Sequence, residues 1–307
     1  MKLLVTGGAG FIGGRLVDAL APDHDVRVLD RASPDDLPAD VTFVRGDVRD
    51  EETVAAATDD VDVVFHQAAL VSVAQSVDQP RESHDHNVAG TLTVLDAART
   101  HDARVVLASS AAIYGHPETQ PIDESEPTTP TSPYGLEKLA VDHYARLYHE
   151  LYGLETVALR YFNVYGPGQT GGDYAGVISV FLAQALAGEP ITVHGDGAQT
   201  RDFVFVDDVV RANRLAATTD AVGEAFNVAT GESTTIRELA ELVREYTDTE
   251  STIVHTEPRE GDIQHSQADV SKARELLGYE PTVSFTDGLE RTAEWFRERV
   301  DEGERPS

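Results

Sequence analysis

Residues 2–14 read Lys2-Leu3-Leu4-Val5-Thr6-Gly7-Gly8-Ala9-Gly10-Phe11-Ile12-Gly13-Gly14, an apolar run that passes directly into a glycine-rich turn. The apolar run is typical of a buried strand, and residues 11–21 show the spacing of a helix with one apolar face. Glycines at positions 7, 10 and 13 allow a tight turn whose backbone amides can approach a pyrophosphate at the helix N-terminus. This stretch predicts the strand–turn–helix unit with which doubly wound α/β folds bind dinucleotides.

The chain beyond this unit continues to alternate short apolar runs with longer helical patterns. The alternation predicts a Rossmann-type, doubly wound parallel sheet with helices on both faces. Strands are predicted over residues 25–30, 41–45, 62–66, 103–109 and 154–161, and helices over 80–100, 132–152, 177–187, 207–219, 236–247 and 270–277. Because the rhythm changes after residue 168, we predict a dinucleotide-binding domain over 1–168, with a return near 198–230, and a smaller α/β substrate domain over 169–307.

The bulk composition restricts the classes of partner. The 307 residues carry 54 acidic and 24 basic side chains, a formal net charge of −30, and no cysteine. Such a surface repels nucleic acid and anionic membranes, which are bound through basic residues. The lack of cysteine excludes disulfides and zinc thiolates, and no apolar run has the length of a membrane span. The start lacks a signal-peptide pattern, so we expect a cytoplasmic protein.

The acidic excess resembles the composition of proteins from salt-loving archaea, in which dissolved ions screen repulsion among the acids. Lowering the salt concentration lengthens the distance over which like charges repel one another. We therefore predict that the melting temperature falls when molar salt is replaced by low salt. Thermal unfolding at the two salt concentrations measures this, and an unchanged melting temperature would contradict it.

One carboxylate is placed to select the dinucleotide. Asp30 ends the second predicted strand, 17 residues beyond Gly13, where it would accept hydrogen bonds from the adenosine ribose hydroxyls. A carboxylate there repels a 2′-phosphate and so favours NAD, although the neighbouring Arg31 weakens this preference. Asp47-Val48 and Ala68-Ala69 follow later predicted strands, and the two alanines would leave room for a cofactor or serve ordinary packing.

Tyr134-Gly135-Leu136-Glu137-Lys138 places a tyrosine and a lysine four residues apart, on one face of a predicted helix. Only three lysines and ten tyrosines occur in the chain, so the pair rarely arises by chance. A free tyrosine has a pKa near ~10, and a nearby ammonium and a positively charged nicotinamide would lower it toward neutral pH. The pair therefore predicts a general acid–base tyrosine tuned by a lysine.

Ser109-Ser110-Ala111-Ala112-Ile113-Tyr114-Gly115 ends the fifth predicted strand. A serine there either hydrogen-bonds a sugar hydroxyl and relays its proton to Tyr134, or caps a turn. Together with the glycine turn and the Tyr–Lys pair, this motif resembles the extended short-chain dehydrogenase/reductase family in its NAD-dependent epimerase/dehydratase branch. Within that branch the chain is similar to the UDP-glucose (UDP-galactose) 4-epimerases. The likeness continues through residues 159–163, 195–203 and 259–262, so it covers nearly the whole chain.

The resemblance implies an NAD-dependent enzyme and assigns roles to individual residues. The catalytic residues would be Ser110, Tyr134 and Lys138, with Tyr134 as general base and acid. The NAD site would comprise Gly7, Gly10, Phe11, Ile12, Gly13, Asp30, Asp47, Val48, Ala68, Ala69, Asn87, Ser109, Tyr134, Lys138 and Tyr161. The substrate site would comprise Val71, Ser110, Tyr134, Asn163, Arg201, Arg259, Asp262 and Ser266, with the two arginines on the diphosphate.

The reaction implied is inversion at C4 of a UDP-hexose through a transient 4-keto sugar. Relatives that are 4,6-dehydratases carry an Asp-Glu pair, which removes the C5 proton and expels the 6-hydroxyl. This chain has Ala111 and Ala112 at those positions, so dehydration is disfavoured. Decarboxylases of UDP-glucuronate have a glutamate in the same loop, which is also missing. UDP-glucuronate 4-epimerase stays open as an alternative, because its loop likewise lacks acidic or basic side chains.

Four further expectations concern the size of the substrate, the assembly, the class of protein and metal binding. Ser266 is small where some relatives have tyrosine, which would leave room for a 2-N-acetyl group. Family members are commonly homodimers, and helices 80–100 and 132–152 would form the contact. An alternative of another class is a non-catalytic NAD-binding regulator or scaffold. His84 and His86 do not share a helix face, so no metal site is predicted.

Overall fold

A computed structural model describes residues 1–34, 36–169, 176–259, 261 and 263–301. Its centre is a sheet of seven parallel strands. The strands of the described chain are β1 Lys2–Thr6, β2 Asp25–Asp30, β3 Thr42–Arg45, β4 Val63–His66, β5 Arg104–Ser110, β6 Thr156–Tyr161, β7 Asn163–Tyr165, β8 Ile191–His194, β9 Thr200–Arg201, β10 Phe203–Phe205, β11 Glu224–Val228, β12 Thr234–Thr235 and β13 Ile253–Thr256. The order across the central sheet is β11-β6-β5-β4-β1-β2-β3. Strands are added on one side of β1 as far as β3 and then on its other side from β4, so the strand order reverses beside β1.

Helices cover both faces of this sheet. They are α1 Phe11–Leu20, α2 Glu51–Thr58, α3 Val73–Asp78, α4 Pro80–His84, α5 Gly90–His101, α6 Pro133–Tyr152, α7 Val177–Leu186, α8 Val206–Ala216, α9 Ile236–Thr247, α10 Ser271–Leu277 and α11 Phe285–Asp301. Successive side chains of β1 point to opposite faces, so Leu3 and Val5 pack with α1 and α8, while Leu4 packs with α2, α5 and α6. Strands buried on both faces read as continuous apolar runs, as the sequence of β4 does.

The structure confirms the doubly wound fold class. Every predicted strand lies within two residues of an observed one, and the helix predicted over 132–152 begins at Pro133 with Ser132 as its cap. The Ser132 hydroxyl accepts from the amide of Gly135 at 3.1 Å, which satisfies one of the first amides of α6. The chain also returns to the central sheet at β11, inside the predicted interval 198–230. The division at residue 168 stays a prediction.

The helix predicted over 80–100 is present, but it is not a regular α-helix throughout. The helix α4 ends at His84, and a π-helical turn follows at Asp85–Ala89 before α5 begins at Gly90. A Cβ at residue 90 would come within 2.7 Å of the Val48 side chain, so this packing depends on a glycine. A π turn inserts one residue into a helix and is found mostly at functional sites.

Two short helices, α2 and α3, were not predicted from the sequence. The Asp50 carboxylate caps α2 by accepting from the amide of Thr53 at 2.8 Å, and Glu51 and Glu52 occupy its first turn. An acidic cap followed by acids is the local signal that marks this start. No helix of the described residues is long and apolar enough to cross a membrane.

Candidate active site

The glycine turn between β1 and α1 packs too closely for side chains. A Cβ at Gly7, where φ is +73°, would lie 2.7 Å from the amide nitrogen of Ala68. A Cβ at Gly13 would lie 2.1 Å from the carbonyl oxygen of Gly7. Gly10 is the N-cap of α1 and supplies no side chain to the first amides of the helix. These amides are therefore suited to an anion, which fits the predicted pyrophosphate of a dinucleotide.

A cleft with about 610 Å³ of empty space opens above this turn. It lies at the carboxyl ends of β1, β2, β3 and β4, the edge at which doubly wound folds bind ligands. Seven predicted cofactor residues line it, namely Gly7, Gly10, Asp30, Asp47, Val48, Ala68 and Ala69. The glycine cradle and the residues around it fit a dinucleotide.

The carboxylate of Asp30 is held by backbone amides at the rim of the cleft. Its Oδ2 accepts from Ala9 N and its Oδ1 from Ala32 N, both at 3.0 Å. Each oxygen keeps a second acceptor position, which ribose hydroxyls could use. The arrangement supports the preference for NAD over a cofactor with a 2′-phosphate.

The neighbouring Arg31 contacts side chains of the protein. Its Nη1 lies 3.2 Å from Nε2 of His86 and 3.9 Å from Oδ2 of Asp47. Arg49 binds Asp47 through Nε at 3.0 Å and Nη2 at 2.7 Å, and this pairing lowers the pKa of Asp47 to about 2. A fixed anion beside Arg31 weakens the pull that its guanidinium would exert on a 2′-phosphate.

The predicted catalytic residues converge at the N-terminus of α6. A Cβ at Gly135 would lie 2.8 Å from the carbonyl oxygen of Ala112, so the helix abuts the turn that follows Ser110. Lys138 is 6% exposed, donates from Nζ to the carbonyl oxygen of Ala108 at 2.8 Å, and lies 5.9 Å from the ring centre of Tyr134. The Ser110 side chain lies close enough to the Tyr134 phenol to oppose the rise of its pKa. The trio forms one site.

In the protein without NAD, the pKa of Tyr134 lies further from neutral pH than that of a free tyrosine. Burial raises the pKa of Tyr134 to about 12, and Glu137 adds to the rise while Ser110 opposes it. Burial also lowers the pKa of Lys138 to about 8, against the influence of Glu137. Removing water disfavours both the phenolate and the ammonium. The lowering of the Tyr134 pKa was expected with a nicotinamide bound, and for that state it stays a prediction.

Three predicted cofactor residues direct their side chains to protein partners. Ser109 Oγ donates to Asp142 at 2.9 Å, and the hydroxyl of Tyr161 bonds with the amides of Gln67 and Asn213. Asn87 pairs with the backbone of Leu70. These side chains support the walls of the cleft, so any contact with a cofactor would come from backbone or from the residues they hold. Phe11 and Ile12 form the first turn of α1.

Two of the predicted substrate residues, Asn163 and Arg201, lie in short strands that follow β6 in the chain. Asn163 Nδ2 donates to the carbonyl oxygen of Asp202 at 2.9 Å. Arg201 Nη1 donates to the carbonyl oxygens of Thr200 at 2.7 Å and Ile263 at 2.6 Å. Among the other predicted substrate residues, Ser266 is 7% exposed and Val71 is 45% exposed. Arg259 is exposed, and Asp262 lies outside the described residues.

A buried chain of side chains beneath the cleft was missed by sequence reasoning. His66 Nδ1 lies 2.8 Å from Thr6 Oγ1, and its Nε2 lies 2.9 Å from Thr91 Oγ1. Thr91 donates its hydroxyl hydrogen to the carbonyl oxygen of Asn87 at 2.6 Å, so it accepts from Nε2 of His66. Burial and Lys138 lower the pKa of His66 to about 3. The histidine is therefore neutral and links β1, β4 and α5.

This neutral histidine makes stability depend on pH. In the unfolded chain His66 binds a proton near pH ~6.5, whereas in the folded protein it does so only near pH 3. Between these values the unfolded state binds more protons, so His66 costs up to ~1.4 kcal/mol of stability per pH unit lowered. Urea unfolding at pH 7 and pH 5 should show a weaker loss in His66→Gln than in the wild type. Equal losses would contradict this role.

Possible metal ligands do not gather in the described part of the chain. No group of three or more His, Asp or Glu side chains there could hold a metal ion. His86 contacts Arg31, as described above, and His84 is exposed beside α6.

Comparison with known proteins identifies the family of this chain. A model of the NAD dependent epimerase/dehydratase family matches residues 3–229. A putative UDP-glucose 4-epimerase of Methanocaldococcus jannaschii is 39% identical over 302 residues, which are 96% of this chain and 98% of that protein. A UDP-glucose 4-epimerase of Mycolicibacterium smegmatis is 39% identical over 311 residues, covering 97% and 99%.

Solved structures give the same result. The UDP-glucose 4-epimerase of Thermotoga maritima with UDP-glucose has a TM-score of 0.93 at 39% identity, covering 98% of this chain and 100% of that one. The UDP-N-acetylglucosamine 4-epimerase of Methanobrevibacter ruminantium, in complex with UDP-N-acetylmuramic acid, has a TM-score of 0.93 at 37% identity, covering 97% and 98%. The Thermus thermophilus UDP-glucose 4-epimerase with NAD has a TM-score of 0.89 at 38% identity, covering 97% and 99%.

Proposed function

The chain belongs to the NAD dependent epimerase/dehydratase family, and we propose that it interconverts the C4 epimers of a UDP-hexose, UDP-glucose and UDP-galactose first. The observation that carries the proposal is the single site formed by Ser110, Tyr134 and Lys138 beside the glycine cleft. Tyrosine and lysine so placed handle a proton at an alcohol oxygen. Relatives that are 39% identical over nearly their whole length carry the same activity in their names.

NAD, when bound, supplies the hydride acceptor and donor for the carbon that bears this alcohol. The protein holds the proton. Tyr134 would take it at the phenolic oxygen, with Ser110 as the relay from the sugar hydroxyl and Lys138 supplying positive charge nearby. The pKa of about 12 in the protein alone means that the phenol keeps its proton until further positive charge enters the site.

The residues behind Ser110 favour epimerisation over elimination. Ala111 and Ala112 form the short 3₁₀ turn that follows the serine, and neither side chain can move a proton at C5 or C6. UDP-glucuronate 4-epimerisation remains the second candidate, because these alanines accommodate either substituent. Asn163, Arg201 and Arg259 would bind the diphosphate through amide and guanidinium donors.

A direct assay separates these functions. Purified protein is given UDP-galactose and the appearance of UDP-glucose is followed, with UDP-glucuronate, dTDP-glucose and GDP-mannose in parallel. We expect turnover of the UDP-hexose without added NAD, because cofactor that is regenerated in each cycle need not dissociate. A protein that binds NAD and turns over none of the four would be the non-catalytic alternative.

The position of Ser266 predicts the range of sugars. The resemblance places this small side chain in the substrate site, where it would leave room for a 2-N-acetyl group, and we expect UDP-GlcNAc and UDP-GalNAc to be interconverted as well. Ser266→Tyr should lower kcat/KM for the acetylated pair by at least ~10-fold, since filling a pocket costs about 1–3 kcal/mol. The same assay on UDP-glucose is the control. Wild-type protein inactive on the acetylated pair would contradict the prediction.

A homodimer is the proposed assembly. The face built by α3 and α6 exposes apolar side chains, namely Val73, Val77, Leu136, Leu147, Leu151 and Tyr152, each between 42% and 64% exposed. An apolar groove between α4 and α6 runs beside them, and such surface usually marks an interaction site. Sedimentation equilibrium at molar salt tests it. The cytoplasmic location stays a prediction from the sequence.

A further inference from the structure

Glu137 lies between Tyr134 and Lys138 in the chain and has no role in the reaction described so far. It is only 4% exposed. Its Oε2 accepts from Ser83 Oγ and from Asn87 Nδ2, both at 2.7 Å. A buried carboxylate is costly unless its charge is compensated by hydrogen bonds. The contacts therefore call for an explanation beyond the general acidity of this chain.

The first consequence of these contacts concerns Asn87. Its Oδ1 accepts from the amide of Leu70 at 2.8 Å, and its Nδ2 donates to the carbonyl oxygen of the same residue at 2.9 Å. A carboxylate can only accept, so Glu137 reinforces the amide orientation that the two bonds to Leu70 require. Leu70 continues the wall that Ala68 and Ala69 form in the cleft. Glu137 thus connects α6 to the cofactor cleft through one amide.

The connection lies where α4 passes into the π-helical turn. Ser83 lies in α4 and Asn87 in the π turn that follows, and both reach the same carboxylate oxygen. Asn87 is fixed a second time through its carbonyl oxygen, which accepts from Thr91. A positioning network of this kind holds the residues of a site more tightly than single contacts do.

The second consequence is electrostatic. Lys138 is enclosed by Tyr134 and Glu137 on its own helix, by His66 on β4 and by the carbonyl oxygen of Ala108 on β5. His66 is neutral above about pH 3, so Glu137 is the anion that favours the ammonium. The groove on the other side of Glu137 presents Arg81, His84 and Asp85.

From these contacts we propose that Glu137 is a positioning residue for the C4 reaction, which fixes the Asn87–Leu70 wall of the cofactor cleft and places a negative charge beside Lys138. The proposal rests on the proposed function only for its catalytic half. The half that concerns the wall is testable by NAD binding, which needs no sugar.

Three variants separate the two halves. Glu137→Ala removes both acceptor and charge, Glu137→Gln keeps an acceptor and removes the charge, and Glu275→Gln removes a charge from an exposed position on α10. NAD-free protein is titrated with NAD, and kcat is measured from pH 6 to pH 10. Thermal unfolding of each variant shows whether it folds.

We expect Glu137→Ala to weaken NAD binding by roughly 10-fold, because Asn87 loses a charged acceptor. In Glu137→Gln the NAD affinity should stay within about threefold, while the alkaline limb of kcat moves down by about half to one pH unit. Glu275→Gln should match the wild type in both measurements.

Unchanged NAD affinity in a folded Glu137→Ala protein would show that Glu137 does not position the Asn87–Leu70 wall. An unchanged alkaline limb of the kcat profile in Glu137→Gln would show that its charge does not act on Lys138. Weaker NAD binding in Glu137→Ala, with a wild type that turns over no UDP-sugar, would support the wall while rejecting the proposed function. The two failures are therefore distinguishable.

Discussion

Tyr134→Phe is expected to lower kcat for UDP-galactose by at least ~10³-fold while leaving NAD bound. The phenolic oxygen is the only group in the proposed mechanism that takes the sugar proton, and positioned acid–base groups contribute about 10²–10⁴-fold. The ring itself stays, so its contact with Lys138 at 5.9 Å and the shape of the site should be kept. The kcat of purified protein and the NAD released on denaturation measure the two effects.

The matched control is Tyr144→Phe, on the same helix α6. Its hydroxyl has no hydrogen-bond partner among residues 1–34, 36–169, 176–259, 261 and 263–301, so kcat should stay within about twofold. Ser110→Ala should fall between the two, because water can replace a relay hydroxyl in part. A Tyr134→Phe protein that keeps a tenth of the wild-type activity would show that another group moves the proton.

The second large effect concerns stability. Asp142 lies one turn beyond Lys138 on α6 and is fully buried. It binds Arg160 Nε through Oδ2 at 2.9 Å and Nη2 through Oδ1 at 3.1 Å, and it accepts from Ser109 Oγ. Arg160 is itself only 3% exposed. Asp142→Ala should lower the free energy of unfolding by about 3–5 kcal/mol, because a guanidinium is left buried without its counter-ion.

Urea unfolding at constant salt measures this loss. The control is Glu280→Ala, which breaks the exposed pair with Arg274 and should cost less than about 1 kcal/mol. Burial alone would raise the pKa of Asp142, but Arg160, Arg146 and Ser109 hold it below its usual value. Its contribution is therefore present above pH ~3.9 and is lost as the pH falls through the lower folded value. Equal losses in the two variants would contradict the prediction.

The same pair fixes the active site. Asp142 ties α6 to β5 through Ser109, which precedes Ser110 in the chain, and Arg160 also donates to the hydroxyl of Tyr114 at 2.9 Å. These contacts fix both ends of the turn between Ser110 and Tyr114. We expect a folded Asp142→Ala protein to lose activity in addition to stability.

The sequence by itself determined the features that depend on residues close in the chain. The glycine turn after β1 and the Tyr–Lys spacing on α6 are local patterns, and each was found where it was predicted. The parallel arrangement of the central sheet follows from the alternation of strands and helices, because parallel strands need crossover connections, which are usually helical.

Only the tertiary structure decided the features that depend on contacts between distant residues. The link from Glu137 to Ser83 spans 54 positions, and no periodicity in the sequence marks such a contact. The π turn that brings Asn87 to Glu137 resembles ordinary helix in its composition. The sign of the Tyr134 shift was likewise hidden, because it depends on how much water the fold removes from the phenol. Spacing tells which groups meet on one element, whereas burial decides what charge they carry.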